Sequence, residues 1–554
     1  MKVLLVIKKI RSVVRWYARY DGFYPPPLPL PRNRRYWLAF GLVMLAVLSF
    51  CIYFCLYLMA SHDALQTNAE DLGIMDQAIW SIRHTFVPHQ TVCNIIFDSN
   101  CASPAGVTRF AIHFEPILYL VALFYLIWSN PKMLLIIQTL VVASGAYPAF
   151  WLARLRLRSD FGAVWIAVLY LLYPGLLQAE RYDFHAVTFT TALLMFVLYF
   201  MYTRRTVWLF VFAVLAMSCK EEIPLVVAGF GIWSVLFQKR WRSGLALALI
   251  GGIWFGLVVF VIMPHASPTG HPLLISRYAD LGSPMHFLST LLLHPRGFLD
   301  HYVWEEHHLA YLRSLFLPVC YIALLAVWVL VLALPTLALN LLSSTPQMYS
   351  GLFQYSAEIV PVIIFATIEG LVIFLWVLRL VGKCLSISRL RSCLVGIRLR
   401  CWWSLARVLV LSSFLCAMLV STLMIDYTFH SVLPFGQGVQ WPQVTEHDRV
   451  FAKVLRLIPD EASVCAQSNL VPHMSERNKI YLFPYQDESA DYIVLDTIEG
   501  DTYPIDKGGY KKEVEKVIQN KNYDIIFSQD GYLVLRKRVP ILLSSYDKST
   551  KQRN

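Results

Sequence analysis

Charge is scarce in this chain. Asp, Glu, Lys and Arg make up 15% of its 554 residues while 57% are hydrophobic, a balance that excludes an ordinary soluble globule. Paired Cys-x-x-Cys motifs are missing as well. The 11 cysteines are scattered, mostly in or beside apolar runs, so the common zinc frameworks are excluded and most of them read as small packing residues. No cleavable signal peptide is expected, because the first apolar run follows 35 basic and proline-rich residues. No internal repeat is evident. The C-terminal stretch has neither a nucleophile elbow nor a glycine-rich phosphate loop.

What the chain does have is apolar runs of roughly 17–25 residues recurring up to position 425, the length needed to cross a hydrocarbon core of roughly 30 Å. The fold class expected is mainly α: a polytopic transmembrane helical bundle of about 11 spans with a small C-terminal extracytoplasmic α/β domain. Residues 1–35 carry nine Lys/Arg against Asp21 alone. Residues 1–20 read as an interfacial amphipathic helix on an anionic inner leaflet, and YPPPLPLPRN as a stiff connector. Span 36–59 leads outward into a loop over 60–131, where Cys93 and Cys101 are placed for a disulfide. The apolar piece 112–128 is short. Treating it as an interfacial helix leaves Arg154–Arg158, Arg204–Arg205, Lys239–Arg242 and Lys383–Arg400 all inside. The expected spans are then 36–59, 132–152, 161–177, 187–203, 206–219, 223–237, 244–264, 314–331, 333–345, 357–379 and 405–425. From 426 to 540 the pattern becomes soluble α/β, with strands at 462–467, 479–483, 491–496, 524–528 and 531–536 and helices at 444–458 and 510–520. A tail, 541–554, follows.

The charged groups between spans gather on one face. NAEDLGIMDQAIW puts Asp71 and Asp76 just after the first span, where ionisable residues are costly without a partner or a task. Asp71 suits a helix N-cap or a base, and Asp76 a solvated face or a second functional carboxylate. HFEPI offers His113 and Glu115, or a membrane anchor. RYDFH offers Arg181, Asp183 and His185, or a helix cap with a surface histidine. SCKEEIP is the strongest signal, because Lys220, Glu221 and Glu222 lie between two apolar segments with no room for a solvated loop. Desolvating three charges is expensive unless they pair with one another or with an ionic ligand. Tyr355 and Glu358 fall near the outer end of a later span, and the loop His301–Arg313 holds Glu305, His307 and His308 without a fixed ligand spacing. No metal site and no cofactor are expected from this set; a divalent ion at Asp183 and His185 is the less favoured alternative.

DLGIMDQAIW, HFEPI, LLYPGLLQAERYDFH, CKEE and VCAQSNLVPHMSERNKIYLFP resemble the bacterial membrane proteins grouped as domain of unknown function 2079. The order of parts is more distantly similar to the GT-C glycosyltransferases, such as aminoarabinose and protein O-mannosyl transferases. Asp71 matches the acidic residue of their first outer loop, and HFEPILYL looks like the counterpart of their juxtamembrane Lys-Pro-Pro-Leu helix, with His113 where a phosphate-contacting lysine is usual. Asp183 resembles an Asp after a Pro-ended span, and Lys220 a Lys closing a later outward span. This likeness implies inverting transfer of a sugar from a polyprenyl-phosphate lipid to an envelope glycan, lipid or protein outside a bacterial plasma membrane. Asp71, with Asp76 as the second carboxylate, would be catalytic. Lys220 would hold the leaving phosphate, with Arg83 or Arg181. His113, Glu115, Asp183, His185, Glu221, Glu222 and Tyr355 would contact substrate. Nothing in the pattern calls for nucleic acid. The alternatives are a transporter or flippase of a lipid-linked or anionic solute, and a non-catalytic envelope assembly protein.

Overall fold

A computed structural model of the chain describes residues 30–93, 103–387, 393–428, 439–498 and 501–538, with four further positions between 433 and 437. The N-terminal segment 1–20, Cys101 and the tail 541–554 lie outside the described residues. The chain separates into two compact units. The first holds Met1–Asp63, Ala78–His89 and Val107–Gln443; the second holds Ala64–Gln77, Gln90–Gly106 and Val444–Asn554.

The first unit is helical. Among the described residues, seven helical stretches are long and apolar enough to cross a membrane: Arg34–Asp63, Pro131–Leu157, Asp160–Arg181, Trp241–Ala266, Ile322–Leu341, Val360–Leu378 and Val408–Thr428. Three shorter apolar helices, Ala186–Tyr202, Thr206–Met217 and Ile223–Gln238, stand between them. Local chemistry sets the ends. Asn130 accepts from Lys132 N and Pro131 occupies the first helical turn, where its missing N–H is no loss. Ser159 caps the next helix through Gly162 N, just after Arg158 turns left-handed at φ 55°. Helices Ile223–Gln238 and Trp241–Leu257 pack backbone to backbone, since a Cβ on Gly231 would sit 2.4 Å from Ala248 N, as small-residue packing in membranes requires. The piece after HFEP does not form one long helix. It breaks into Leu118–Ala122 and Phe124–Leu126, leaving Leu120, Leu123, Leu126 and Ile127 exposed.

The two expected spans 314–331 and 333–345 become a hairpin. Helix Glu306–Phe316 runs to a turn where Cys320 and Tyr321 take φ of 47° and 57°, and one apolar run, Ile322–Leu341, returns. The tip is pressed on the helix Val360–Ile387, where a Cβ on Gly370 would lie 2.1 Å from Ile322 O. The other ends of the two arms meet: Asn340 Nδ2 donates to Tyr311 OH and to Tyr355 O, both at 2.9 Å. Pro335 does not divide the return arm, because it sits in the first turn of Leu334–Leu341.

The second unit is built on five strands: β1 (Val464–Ala466), β2 (Ile480–Leu482), β3 (Tyr492–Asp496), β4 (Tyr523–Gln529) and β5 (Tyr532–Lys537). Their order is β2-β1-β3-β5-β4. The first three are parallel, with Val464 opposite both Ile480 and Tyr492, and β5 runs antiparallel to β3 and β4. Side chains alternate across the sheet. Val464, Ala466, Val494 and Val534 face a core with Phe451 and Val454 of helix Glu446–Leu455. Cys465, Ile493, Leu495 and Leu535 face Tyr510, Val514 and Val517 of helix Lys507–Gln519. Segment 64–77, read from the sequence as part of the loop 60–131, belongs to this unit: Leu65, Ala69 and Ile74 join the first core.

Candidate functional site

Ser218–Glu222 links two apolar helices, and its charges are held by other parts of the first unit. Ile117 N donates to Ser218 O at 2.9 Å, bringing the HFEP segment alongside. His113 Nδ1 then lies 2.7 Å from Glu221 Oε1, and Phe114 N donates to Glu221 Oε2 at 3.1 Å. Burial, and after it the positive charges of Arg109 and Lys220, push the His113 pKa well below the usual imidazole value. The ring is therefore neutral, with Nδ1–H donating to Glu221 and Nε2 keeping its lone pair. Glu115 is buried and accepts from Arg109 Nε at 2.7 Å. Glu221 itself is pushed up by burial, with Lys220 pulling the other way.

Lys220 forms an ion pair with Glu222. Burial works against its charge, but Glu222 and Glu221 raise its pKa, so the ammonium stays charged. Glu358 is hydrogen-bonded to Glu222 and accepts from Thr336 Oγ1 at 2.5 Å. Burial, and then the Glu222 charge, push the Glu358 carboxyl up into the protonated form, the outcome for two carboxyls sharing one place. Two cations meet the Tyr355 ring, with Lys220 Nζ at 5.8 Å and Arg277 Cζ at 6.0 Å from its centroid. Tyr278 carries the electrostatic imprint of Glu222, Lys220 and Arg277.

A chain of aromatic rings leads from here to RYDFH. Tyr355 neighbours Phe353, Phe353 meets Tyr182 edge-on at 4.6 Å, and Tyr182 stacks on His185. The N-cap position of the helical turn Ala186–Phe189 is taken by His185, two residues beyond Asp183. Asp183 stands at φ 44°, a conformation Asp tolerates better than most residues, and its carbonyl accepts from Gln138 Nε2 at 2.8 Å. Gln138 Oε1 in turn accepts from His185 N at 2.9 Å. Glu180, one turn earlier, is fully buried and accepts from Thr139 Oγ1 at 2.5 Å.

The structure thus joins His113, Glu115, Lys220, Glu221, Glu222 and Tyr355 in one cluster, with Asp183 and His185 reached through Phe353. Arg83 donates to Ser129 Oγ at 2.8 Å, and Arg181 is exposed at its helix end. Asp71 and Asp76 belong to the second unit. Asn68, not Asp71, caps the turn there, accepting from Asp71 N at 3.2 Å. Asp76 is fully buried rather than on a solvated face, and accepts from Ser475 Oγ at 2.6 Å. Sequence reasoning passed over Arg109, Arg277, Glu180 and Thr336. Arg109 precedes its partner Glu115 by six residues, a spacing with no helical meaning; the others meet their partners only through tertiary packing.

Chemically the cluster combines cations that suit an anionic group with carboxylates and an imidazole lone pair that suit hydroxyls. Among the described residues no group of three or more His, Cys, Asp or Glu is arranged to hold a metal ion. No curated protein matches the chain. Residues 61–534 match the family described as predicted membrane protein, domain of unknown function 2079. With most of its length inside that match, the chain belongs to the domain of unknown function 2079 family of membrane proteins.

Proposed function

We propose that this protein is an inverting glycosyltransferase that draws its sugar from a polyprenyl-phosphate lipid at the outer face of a bacterial plasma membrane. The observation that carries the reading is the pair of cations on one aromatic ring, Lys220 and Arg277 about Tyr355. Lys220 is buried and paired with Glu222, Arg277 is half-buried, and two cations brought to one ring suit an anionic group such as a donor phosphate. As the sugar leaves, charge builds on that phosphate, and fixed cations stabilise it most. Glu221, Glu222, Asp183 and His185 orient hydroxyls in this proposal, and neutral His113 offers its Nε2 lone pair as a hydrogen-bond acceptor. Asp71, which lies in the second unit, is the proton acceptor by the GT-C resemblance alone, and buried Asp76 is assigned a structural part. The exposed apolar residues that follow HFEP suit contact with the lipid.

The sidedness in this proposal rests on basic runs. If the 306–341 hairpin enters and leaves by one face, six long and three short helices cross, an odd number. The N-terminus is then inside and the α/β unit outside, with Arg154–Arg158, Arg204–Arg205 and Lys239–Arg242 all inside. Cys93 is disulfide-bonded, consistent with an oxidising compartment. A transporter is the second reading. It is favoured by the break at Cys320–Tyr321 and by Asp426, a buried carboxylate in a membrane helix with no hydrogen-bond partner on either oxygen among the described residues.

Saturable binding of polyprenyl-phosphate sugars to protein in lipid nanodiscs tests the assignment. Lys220→Ala is expected to weaken binding at least tenfold, while Asp71→Asn keeps binding and abolishes transfer. Absence of binding to every donor tested, in folded protein, sinks the enzyme reading. Donor movement across proteoliposomes without transfer would replace it with the transporter.

A further inference from the structure

We infer that the α/β unit carries a saccharide-binding crevice at the carboxyl ends of β1 and β3, lined by Gln467, Ser468 and Asn469. The topology marks the place. The chain leaves β1 towards β2 on one side, and leaves β3 through helix Lys507–Gln519 towards β4 on the other. In α/β sheets, adjacent parallel strands whose connections depart in opposite directions open a crevice between them, and ligands bind there. Gln467, Ser468 and Asn469 follow β1 directly and are 1%, 0% and 7% exposed.

Each of the three carries a buried polar atom with no hydrogen-bond partner among the described residues: Gln467 Nε2, Ser468 Oγ and Asn469 Oδ1. Native structures leave few such atoms, and three in succession call for an explanation. The Gln467 amide is fixed in orientation, because its Oε1 accepts from Asp496 N at 2.9 Å and from Tyr510 OH at 2.6 Å. Its Nε2 is therefore a donor with nothing to donate to. At the end of β3, His447 Nε2 pairs with Asp496 Oδ2 at 2.7 Å, and its ring stacks on Tyr532 at 4.5 Å.

The chemistry selects the ligand. Arg477, which follows Asn469 by eight residues, is spent on the carbonyls of Met474, Ala462 and Pro459 and is not offered to a phosphate. A carboxamide donor, a hydroxyl and a carboxamide acceptor in a row require a partner whose groups both donate and accept. Hydroxyls of a neutral sugar do both. As the acceptor site the crevice rests on the glycosyltransferase reading; as a sugar site it does not.

The test uses the full chain in nanodiscs, with chitotriose, maltotriose and mannotriose as probes and saturation-transfer NMR as readout. At least one probe is expected to bind saturably. Ser468→Ala and Asn469→Leu should each weaken it about tenfold or more while leaving the melting temperature unchanged or raising it by about 2–4 °C, because each removes an unsatisfied group. Lys220→Ala should leave the sugar signal intact. The proposal is overturned if none of the three probes binds to folded protein, or if binding survives both substitutions. It is equally overturned if Ser468→Ala lowers the melting temperature by several degrees, since the hydroxyl is then satisfied within the fold. Polyprenyl-phosphate binding in the same preparation reports on the donor site separately, so either reading can fail alone.

Discussion

Replacing Lys220 by methionine is the sharpest perturbation of the polar cluster. Lys220 and Glu222 expose only 11% and 13% of their side chains, and Glu221 also acts on the ammonium. Methionine keeps the length of the side chain and removes its charge, leaving Glu222 without its ion pair in a place that water barely reaches. Breaking one partner of a buried pair costs about 3–5 kcal/mol. The matching change Glu222→Gln should recover most of that loss in the double variant, because the uncompensated charge is gone and a hydrogen-bonding group still faces Glu358. The coupling between the two sites is then about 2–3 kcal/mol. Unfolding in nanodiscs of the wild type, both single variants and the double variant would measure it. Additive losses, with the double variant as unstable as the sum of the singles, would refute the pairing. Donor binding distinguishes stability from function: the double variant should fold but bind polyprenyl phosphate at least tenfold more weakly.

Glu358 is held protonated by burial and by Glu222, so its contribution to stability is full below the ordinary glutamate pKa and shrinks as pH rises through the raised value. Glu358→Gln should therefore raise the melting temperature at pH 9 relative to wild type and change it little at pH 5. Burial pulls the His447 pKa down, but the hydrogen bonds and charges of Asp496 and Asp530 outweigh it and raise the value. Its stabilisation is complete below the ordinary histidine pKa and is lost above the raised one. Protection of the amides in helix Glu446–Leu455, after correction for base-catalysed intrinsic exchange, should fall as pH rises above the ordinary histidine range in wild type, and His447→Gln should flatten that dependence. Gly370→Ala places a Cβ 2.1 Å from Ile322 O, backbone against a helix, so the hairpin tip must move; folded yield in detergent should collapse, whereas Gly252→Ala, with open space around it, should be silent. Ser475→Ala removes one donor from buried Asp76 and should cost about 1–3 kcal/mol, read as faster exchange across residues 64–77 with no change in donor binding.

Several features were legible without coordinates because they depend on windows of a few residues. Apolar runs long enough to cross a bilayer fall where the long helices are, and all five strands of the α/β unit coincide with runs of Val, Ile, Leu and Tyr bounded by polar residues. The density of charge in SCKEE, between two apolar helices, was enough to mark it for partners, since burial of three charges cannot be neutral in energy. HFEP was marked by its own composition, but nothing in it named Glu221 as the acceptor for His113, 108 residues away.

The sequence alone determined a membrane protein with a helical body, an α/β unit and a set of ionisable groups between spans. Hydrophobicity states that a segment is buried, not against what, and that limit accounts for everything left to the tertiary structure. Only packing could turn two expected spans into one hairpin, because the left-handed residues at Cys320 and Tyr321 leave no trace in hydropathy. Only packing could assign segment 64–77 to the α/β core rather than to a loop. Only packing could set Glu358 against Glu222 and place Lys220 and Arg277 on one ring. Charges far apart in the chain acquire a shared chemistry when desolvation forces each to find a partner, and the fold decides which partner is within reach.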